Sequence, residues 1–211
     1  SGVLQPIKRI VEIAHAHGAL VHSDAVQAVG KLPVDMKAAG VDLMSVSAHK
    51  IGGPAGVGAL IAREGLDVQA VQSGGGQEKG RRSGTENKIG IAGFGAAAKA
   101  SLTTLGDWQR VSALRDRFEK TLQGLEGRTR IFSSGAARLP NTTCVSIHGV
   151  RAETQVISLD LAGIAVSAGS ACSSGKIRRS HVLDAMDPGS SDAGTAIRIS
   201  IGWDTTEQDI D

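Results

Sequence analysis

A chain of 211 residues, 41% hydrophobic and 21% charged, has enough apolar material to bury a core, and its formal net charge of +2 creates no global pull toward nucleic acid. The basic runs, Arg81-Arg82 and Lys176 through Arg179, are short, and no apolar run approaches the ~18 residues of a membrane span. No membrane span or signal peptide is predicted, and two cysteines, Cys144 and Cys172, are expected as reduced thiols in a cytoplasmic setting. Glycine is abundant (28), tyrosine absent and aromatic residues scarce at 2%, which fits an α/β enzyme better than a β-sandwich.

In chain order, Pro6 is followed by Ile7, Ile10, Val11 and Ala14, spaced for one helix face that Gly18 closes. Residues 19–22 form a short apolar strand that delivers Asp24 at its C-terminal end. A helical stretch over 34–39 stops at Gly40, and residues 41–46 read as a strand delivering Ser47, His49 and Lys50. Residues 57–62 make a third strand. This alternation predicts a mostly parallel sheet covered by helices. Residues 74–85 are a glycine-rich, charged loop, and 89–105 are helical in pattern. Asp107 is placed to cap a helix through Val111, Leu114, Phe118 and Leu122. Residues 129–132 and 143–147 read as strands, 154–161 as a helix, and 195–201 as a half-buried strand. A boundary at 102–108 separates part of a large α/β domain from a smaller α+β domain. Thr205 to Asp209 reads as a cap and an acidic first turn of a helix that the chain leaves unfinished, and its start directly on a helix gives the same impression of a fragment.

Four segments carry chemistry. Asp24, beyond a strand end, suits either a partner for a protonated ring nitrogen, with Gln27 reaching a neighbouring oxygen, or a helix cap. Lys50, after a strand and before Gly52-Gly53-Pro54, suits a Schiff-base role or an exposed loop lysine. Residues 74–85 offer glycines, arginines and hydroxyls to a phosphate but lack P-loop order. Cys172 lies among small residues, with Lys176 and Arg178 near enough in sequence to favour its thiolate. Arg198, within a strand pattern, is either a carboxylate clamp or one half of a structural ion pair.

Taken together and in order, SDAVQAVGKLPVD, SAHKIGGPAGVGAL, GGGQEKGRRSGTEN, SAGSACSSG and IRISIGWDTTEQDID resemble the cysteine desulfurases of the class V aminotransferase fold. The resemblance implies a pyridoxal 5'-phosphate enzyme that removes sulfur from L-cysteine, giving L-alanine and a persulfide on Cys172. It implies that Lys50 holds the cofactor aldehyde and then removes the substrate's α-proton, that Asp24 partners the ring nitrogen, and that Gln27 contacts the ring hydroxyl oxygen. Ser47 and His49 correspond to phosphate contacts, Thr85 to a contact on the other subunit's cofactor, and Arg198 to the substrate carboxylate clamp. A homodimer follows. Residues 1–105 then correspond to the C-terminal portion of the large cofactor-binding domain, and 106–211 to the small domain carrying Cys172 and Arg198. The cysteine segment resembles the iron–sulfur-assembly branch, so the sulfur acceptor is expected to be an iron–sulfur scaffold or a similar protein.

The chain departs from that family in length. A member is expected to be roughly twice as long, with a cofactor-stacking histidine in the part not represented here. His15 and His17 lie two apart on a helix, cannot replace it, and are expected at the surface, with the missing part supplied as a separate N-terminal fragment. No metal site is expected. The rival readings are a selenocysteine lyase or another enzyme of the same fold, and an inactive fragment that serves only for dimerisation or docking.

Overall fold

The computed structural model describes residues 1–125, 127–169, 180–187 and 190–211. They form two compact units, Gln5–Gly106 and Asp107–Asp211, with Ser1–Leu4 joined to the second.

In the unit Gln5–Gly106, helix α1 (Ile7–Ala16) starts after Pro6, whose fixed φ suits a helix entry. Ile7, Val11 and Ala14, at i, i+4 and i+7, pack on a core of Val21, Ala25, Val41, Met44 and Val46. Gly18, at φ +70°, ends the helix in a Schellman motif: its N–H donates to the His15 carbonyl and that of Ala19 to the Ala14 carbonyl. Strand β1 (His22–Asp24) follows. A short helix α2 (Met36–Ala39) is capped by Asp35, which accepts from the N–H groups of Lys37 and Ala38. Strands β2 (Leu43–Ser47) and β3 (Gly58–Ala62) complete a sheet of order β1-β2-β3.

The β1/β2 pair is parallel, but β3 runs antiparallel to β2, so this sheet is mixed rather than mostly parallel. Only residues 48–57 connect β2 to β3, fewer than the dozen or more that a parallel crossover needs. Met44 and Val46 of β2 face the core under α1, while Leu43, Ser45 and Ser47 on the opposite face stay partly exposed. Helix α3 (Lys88–Thr103), capped by Asn87 Oδ1 on the Gly90 N–H at 3.0 Å, lies against the segment after β2. A Cβ on Gly93 would meet Pro54 Cγ at 2.6 Å, and one on Gly53 would meet Ala97 Cβ at 3.2 Å.

Asp42, 1% exposed, fastens this unit. Its carboxylate accepts from the Val21 N–H, Arg63 Nε and His15 Nε2, each at 2.8 Å. His15 lies exposed, as expected, and is in addition a structural partner of Asp42. The His15 bond first, then the Val21 N–H and the Arg63 bond, outweigh burial and lower the Asp42 carboxyl from its ordinary 3.8 to about 2. A depressed carboxyl contributes stability that is complete above its unfolded value and lost as pH falls through about 2. Asp42→Asn is therefore expected to destabilise this unit near neutral pH and to flatten its acid unfolding limb. Urea midpoints recorded against pH check both, and an unchanged acid limb would refute the assignment.

The second unit begins with helix α4 (Trp108–Gln123). Asp107 is itself in helical geometry, at φ −67° and ψ −23°, and makes no side-chain cap, because a 3-10 turn (Leu105–Asp107) leads directly into the helix. Strands β4 (Thr129–Ile131) and β5 (Thr142–Ile147), helix α5 (Ala152–Leu161), strand β6 (Ser167–Ala168), helix α6 (His181–Met186) and strand β7 (Ala196–Ser200) follow. The sheet order is β4-β5-β7-β6 with every pairing antiparallel. One face packs Val145 and Ile197 with Ala152, Leu122 and Val156; the other packs Phe132, Cys144, Leu183, Ala193 and Ala196. With both faces covered, Ala196 and Ile197 are buried consecutively, where a half-buried alternation was expected. Near the end, Asp209 Oδ2 accepts from the Thr206 N–H at 2.8 Å, and the Asp209 N–H points back to Thr206 Oγ1 at 3.4 Å. Arg117 pairs with Glu207 and Asp211, which pins this turn to α4.

Candidate active site

Because β1 and β2 run parallel, their C-terminal ends open on the same edge of the sheet, the place where open α/β sheets bind ligands. Asp24 ends β1 in register with Ser45, and Ser47 ends β2 two residues further on. The backbone then turns twice. After β1, residues 25–32 form a helical turn, with the N–H groups of Ala28 and Val29 on the Ala25 carbonyl. After β2, a 3-10 turn (Ala48–Ile51) carries His49 and Lys50 and ends at Gly52, φ +82°. Gly52 is needed there, since a side chain would be strained in the left-handed conformation that reverses the chain. The sequence-predicted residues Asp24, Gln27, Ser47, His49 and Lys50 thus lie on neighbouring turns at one sheet edge.

Their side chains have the mixed character of a ligand site. Asp24 Oδ1 accepts from the Val26 N–H at 2.9 Å, so the residue caps the following turn, and its exposed carboxylate can still accept from outside. Both roles open to Asp24 from sequence are thereby compatible. Ser47 Oγ and His49 Nδ1 are 2.8 Å apart, which fixes the imidazole beside the hydroxyl. Lys50 is exposed. His22 Nε2 and Ser45 Oγ, also 2.8 Å apart, add a second hydroxyl–imidazole pair on the partly exposed face; nothing in the sequence motifs pointed to it. Lys31 Nζ donates to the Gln27 carbonyl at 3.2 Å, and burial first, then the charge of Lys50, pushes its amine below the usual lysine range.

Pyridoxal phosphate, the cofactor implied by the sequence resemblance, matches this donor set. A carboxylate is available to a protonated ring nitrogen, an amine to an aldehyde, and hydroxyl and imidazole groups to a phosphate. Thr85 is exposed in the loop before α3, and among the described residues no hydrogen bond or ion pair joins it to the cluster. In that loop Ser83 is buried and donates to the Gly75 carbonyl at 3.0 Å, while Glu78 and Lys79 adopt positive φ.

Arg198 belongs to the other unit. It sits on β7 between Cys144 of β5 and Ser167 of β6. Its Nη2 donates to Ser167 Oγ at 3.2 Å, and its Nε is buried without a hydrogen-bond partner. A buried guanidinium N–H with no acceptor is costly and suits a carboxylate ligand. No carboxylate is paired with it among the described residues, unlike the structural ion pair left open by the sequence. Cys144 is buried, and burial raises its thiol above the ordinary value, so it is an unreactive core thiol. Cys172 and its neighbours Lys176 and Arg178 lie outside the described residues. Among the described residues no cluster of His, Cys, Asp and Glu could hold a metal ion, and no helix is long and apolar enough to cross a membrane.

Comparison with known proteins gives the site its family. The model of the aminotransferase class-V family matches residues 1–211. A cysteine desulfurase of Cereibacter sphaeroides is 44% identical over 211 residues, covering 100% of this chain and 54% of the relative. One of Klebsiella pneumoniae is 41% identical over 211 residues, with 53% of its length covered. Among solved structures, a NifS-like protein from Rickettsia africae superposes with a TM-score of 0.90 at 40% identity, covering 100% of this chain and 56% of that one. SspA in complex with cysteine superposes with a TM-score of 0.73 at 31% identity, covering 95% of this chain and 55% of that one. The chain spans about half the length of the curated relatives it matches. It belongs to the aminotransferase class-V family, whose members use pyridoxal phosphate.

Proposed function

We propose that this chain is the C-terminal part of a cysteine desulfurase, removing sulfur from L-cysteine to give L-alanine and a persulfide on Cys172. The observation that carries the reading is the grouping of Asp24, Ser47, His49 and Lys50 at the C-terminal edge of the β1/β2 pair, in a chain 44% identical to a curated cysteine desulfurase. In this reading the unit Gln5–Gly106 is the C-terminal portion of the large cofactor-binding domain, and the unit containing Asp107–Asp211 is the small domain. The partly exposed sheet face with Leu43, Ser45 and Leu60 is consistent with a further covering layer in the whole enzyme.

When bound, pyridoxal phosphate supplies an electron sink for the carbanion left at the substrate α-carbon. The residues do the rest. Asp24 holds a proton at the ring nitrogen, Gln27 contacts the ring oxygen, and Ser47 and His49 hold the phosphate. Thr85 holds the phosphate of a second subunit's cofactor, which makes the protein a homodimer. Lys50 anchors the aldehyde and then accepts the α-proton at Nζ. Arg198 grips the substrate carboxylate through the edge that Ser167 leaves available. The Cys172 thiolate attacks the substrate sulfur; the bond from sulfur to the β-carbon breaks as the new S–S bond forms, and its electron pair stays with the alanine fragment. The persulfide sulfur then passes to an acceptor in the cytoplasm, of the iron–sulfur scaffold type.

The test is to assay L-alanine release and the mass of the Cys172 peptide. The purified chain is incubated with L-cysteine and pyridoxal phosphate, alone and with the N-terminal half of the Cereibacter sphaeroides relative. Alanine with one added sulfur atom on Cys172 is expected in the complemented preparation, and little turnover in the chain alone. Alanine release that persists in Cys172→Ser, with no sulfur on the protein, would replace the desulfurase reading with a lyase.

A further inference from the structure

At the end of β2 opposite to Lys50, Asp42 holds two basic side chains at a cleft. The strand runs from Leu43 to Ser47, so Asp42 precedes it and the turn carrying Lys50 follows it. The five steps from Asp42 to Ser47 separate the two ends by about 16 Å. The cleft has a volume of about 400 Å³, is open to solvent, and is lined by His15, Gly18, Ala19, Leu20, Asp42 and Arg63. Arg63 is bound in a way that sets this cluster apart from a plain ion pair. Arg138 uses both of its Nη groups on the two oxygens of Glu119. Arg63 gives the Asp42 carboxylate only its Nε, and its backbone N–H donates to the Asp42 carbonyl, each at 2.8 Å. Among the described residues neither Nη of Arg63 has a hydrogen-bond partner, and its side chain is 53% exposed. His15 likewise meets Asp42 through Nε2 and leaves Nδ1 without a partner. Asp42 already accepts three bonds and is 1% exposed, so it stands as a support behind the guanidinium. A buried carboxylate that fixes the side chains in front of it preorganises them for a ligand.

We propose that this cleft is a second ligand site, which takes a small monocarboxylate with a short aliphatic chain. The carboxylate lies on the two Nη groups of Arg63, and the chain lies against Ala19 and Leu20. The outer edge of a guanidinium matches a carboxylate with two parallel hydrogen bonds. Leu20, 58% exposed at the cleft, supplies apolar surface that the chain removes from water. A dianion is disfavoured, because its second charge would face Asp42 with no further cation to balance it. The site is remote from Lys50, so it stands or falls independently of the desulfurase reading.

The experiment is an NMR titration of the full chain with sodium isovalerate at neutral pH, following backbone amides and the Arg63 Nε–H. Isovaleramide, which has the same shape without the charge, and sodium chloride at matched ionic strength are the controls. Saturating shifts are expected at Gly18, Leu20, Val21 and the Arg63 Nε–H, with a Kd on the order of 1 mM, and neither control should reproduce them. Arg63→Met is expected to abolish saturation, but it also removes a partner of Asp42. Leu20→Glu avoids that difficulty, because position 20 is exposed and the Asp42 bonds are untouched. It sets a like charge beside the carboxylate and is expected to weaken isovalerate about tenfold. Isovalerate shifts that never saturate, or that spread away from the cleft, overturn the proposal. So does an equal response to isovaleramide, which would leave only apolar contact, or to chloride, which would leave only screening. Unchanged affinity in Leu20→Glu, with the amide spectrum of a folded chain, overturns it as well.

Discussion

Lys50→Ala is expected to leave the fold intact and to remove turnover of L-cysteine. Lys50 is exposed on a 3-10 turn whose geometry is set by Ala48, packed inside, and by Gly52 at φ +82°. Truncating its side chain therefore disturbs no core contact, and urea midpoints should match the parent chain. Activity should fall by at least the ~10²–10⁴ that a positioned proton-transfer group contributes. Two further signatures separate this variant from a merely damaged one. Borohydride reduction with pyridoxal phosphate should leave the peptide around position 50 unlabelled, and added methylamine should restore part of the lost rate by supplying the missing base from solution. Alanine release near the parent rate in Lys50→Ala, in the preparation where the parent chain turns over, would refute the assignment of Lys50 as base and anchor.

The parts of this site that were legible from sequence are those encoded locally. A short apolar run followed by Asp24, and another followed by Ser47, His49 and Lys50, announce two strands that deliver polar groups at their ends, and β1 and β2 do so in parallel register. The direction of β3 was not legible, because residues 57–62 would show the same apolar pattern in either direction. Only the shortness of the connection, with its 3-10 turn, forces it antiparallel. The pairing of His15 and Arg63 with Asp42 joins residues 27 and 21 apart and left no local sign, although His15 itself is exposed as expected. Helix α6 is six residues long, too short to show a helical period, and only Ser180, whose Oγ accepts from the Leu183 N–H at 3.4 Å, marks its start.

The largest expected stability effect lies away from the site, at Glu119. This residue of α4 is 6% exposed, and its two carboxylate oxygens each accept a 2.7 Å bond from Arg138, whose side chain is 5% exposed. Thr143 Oγ1 on β5 donates a third bond at 2.8 Å. Burial acts to raise the Glu119 carboxyl, but the Arg138 bonds, the Thr143 bond and the charges of Arg138 and Arg115 together hold it below the ordinary glutamate value. The pair is therefore ionised near neutral pH and shielded from water, so removing one member strands the other. Glu119→Leu is expected to cost about 3–5 kcal/mol by leaving the Arg138 guanidinium buried without its counter-ion. That is a large part of the ~5–15 kcal/mol available to a small domain. The double variant Glu119→Leu/Arg138→Met should recover most of the loss, because desolvation of both charges disappears along with their attraction. Thr143→Val alone should cost only about 1 kcal/mol. A pH series adds the sign: a depressed carboxyl gives stability that is complete above its unfolded value and fades as pH falls through the folded one. The parent unit should therefore weaken on acidification through this pair, and the double variant should weaken less. Equal destabilisation of the single and double variants in urea titrations would show instead that Glu119 and Arg138 act through packing, and that the charge pair contributes nothing of its own.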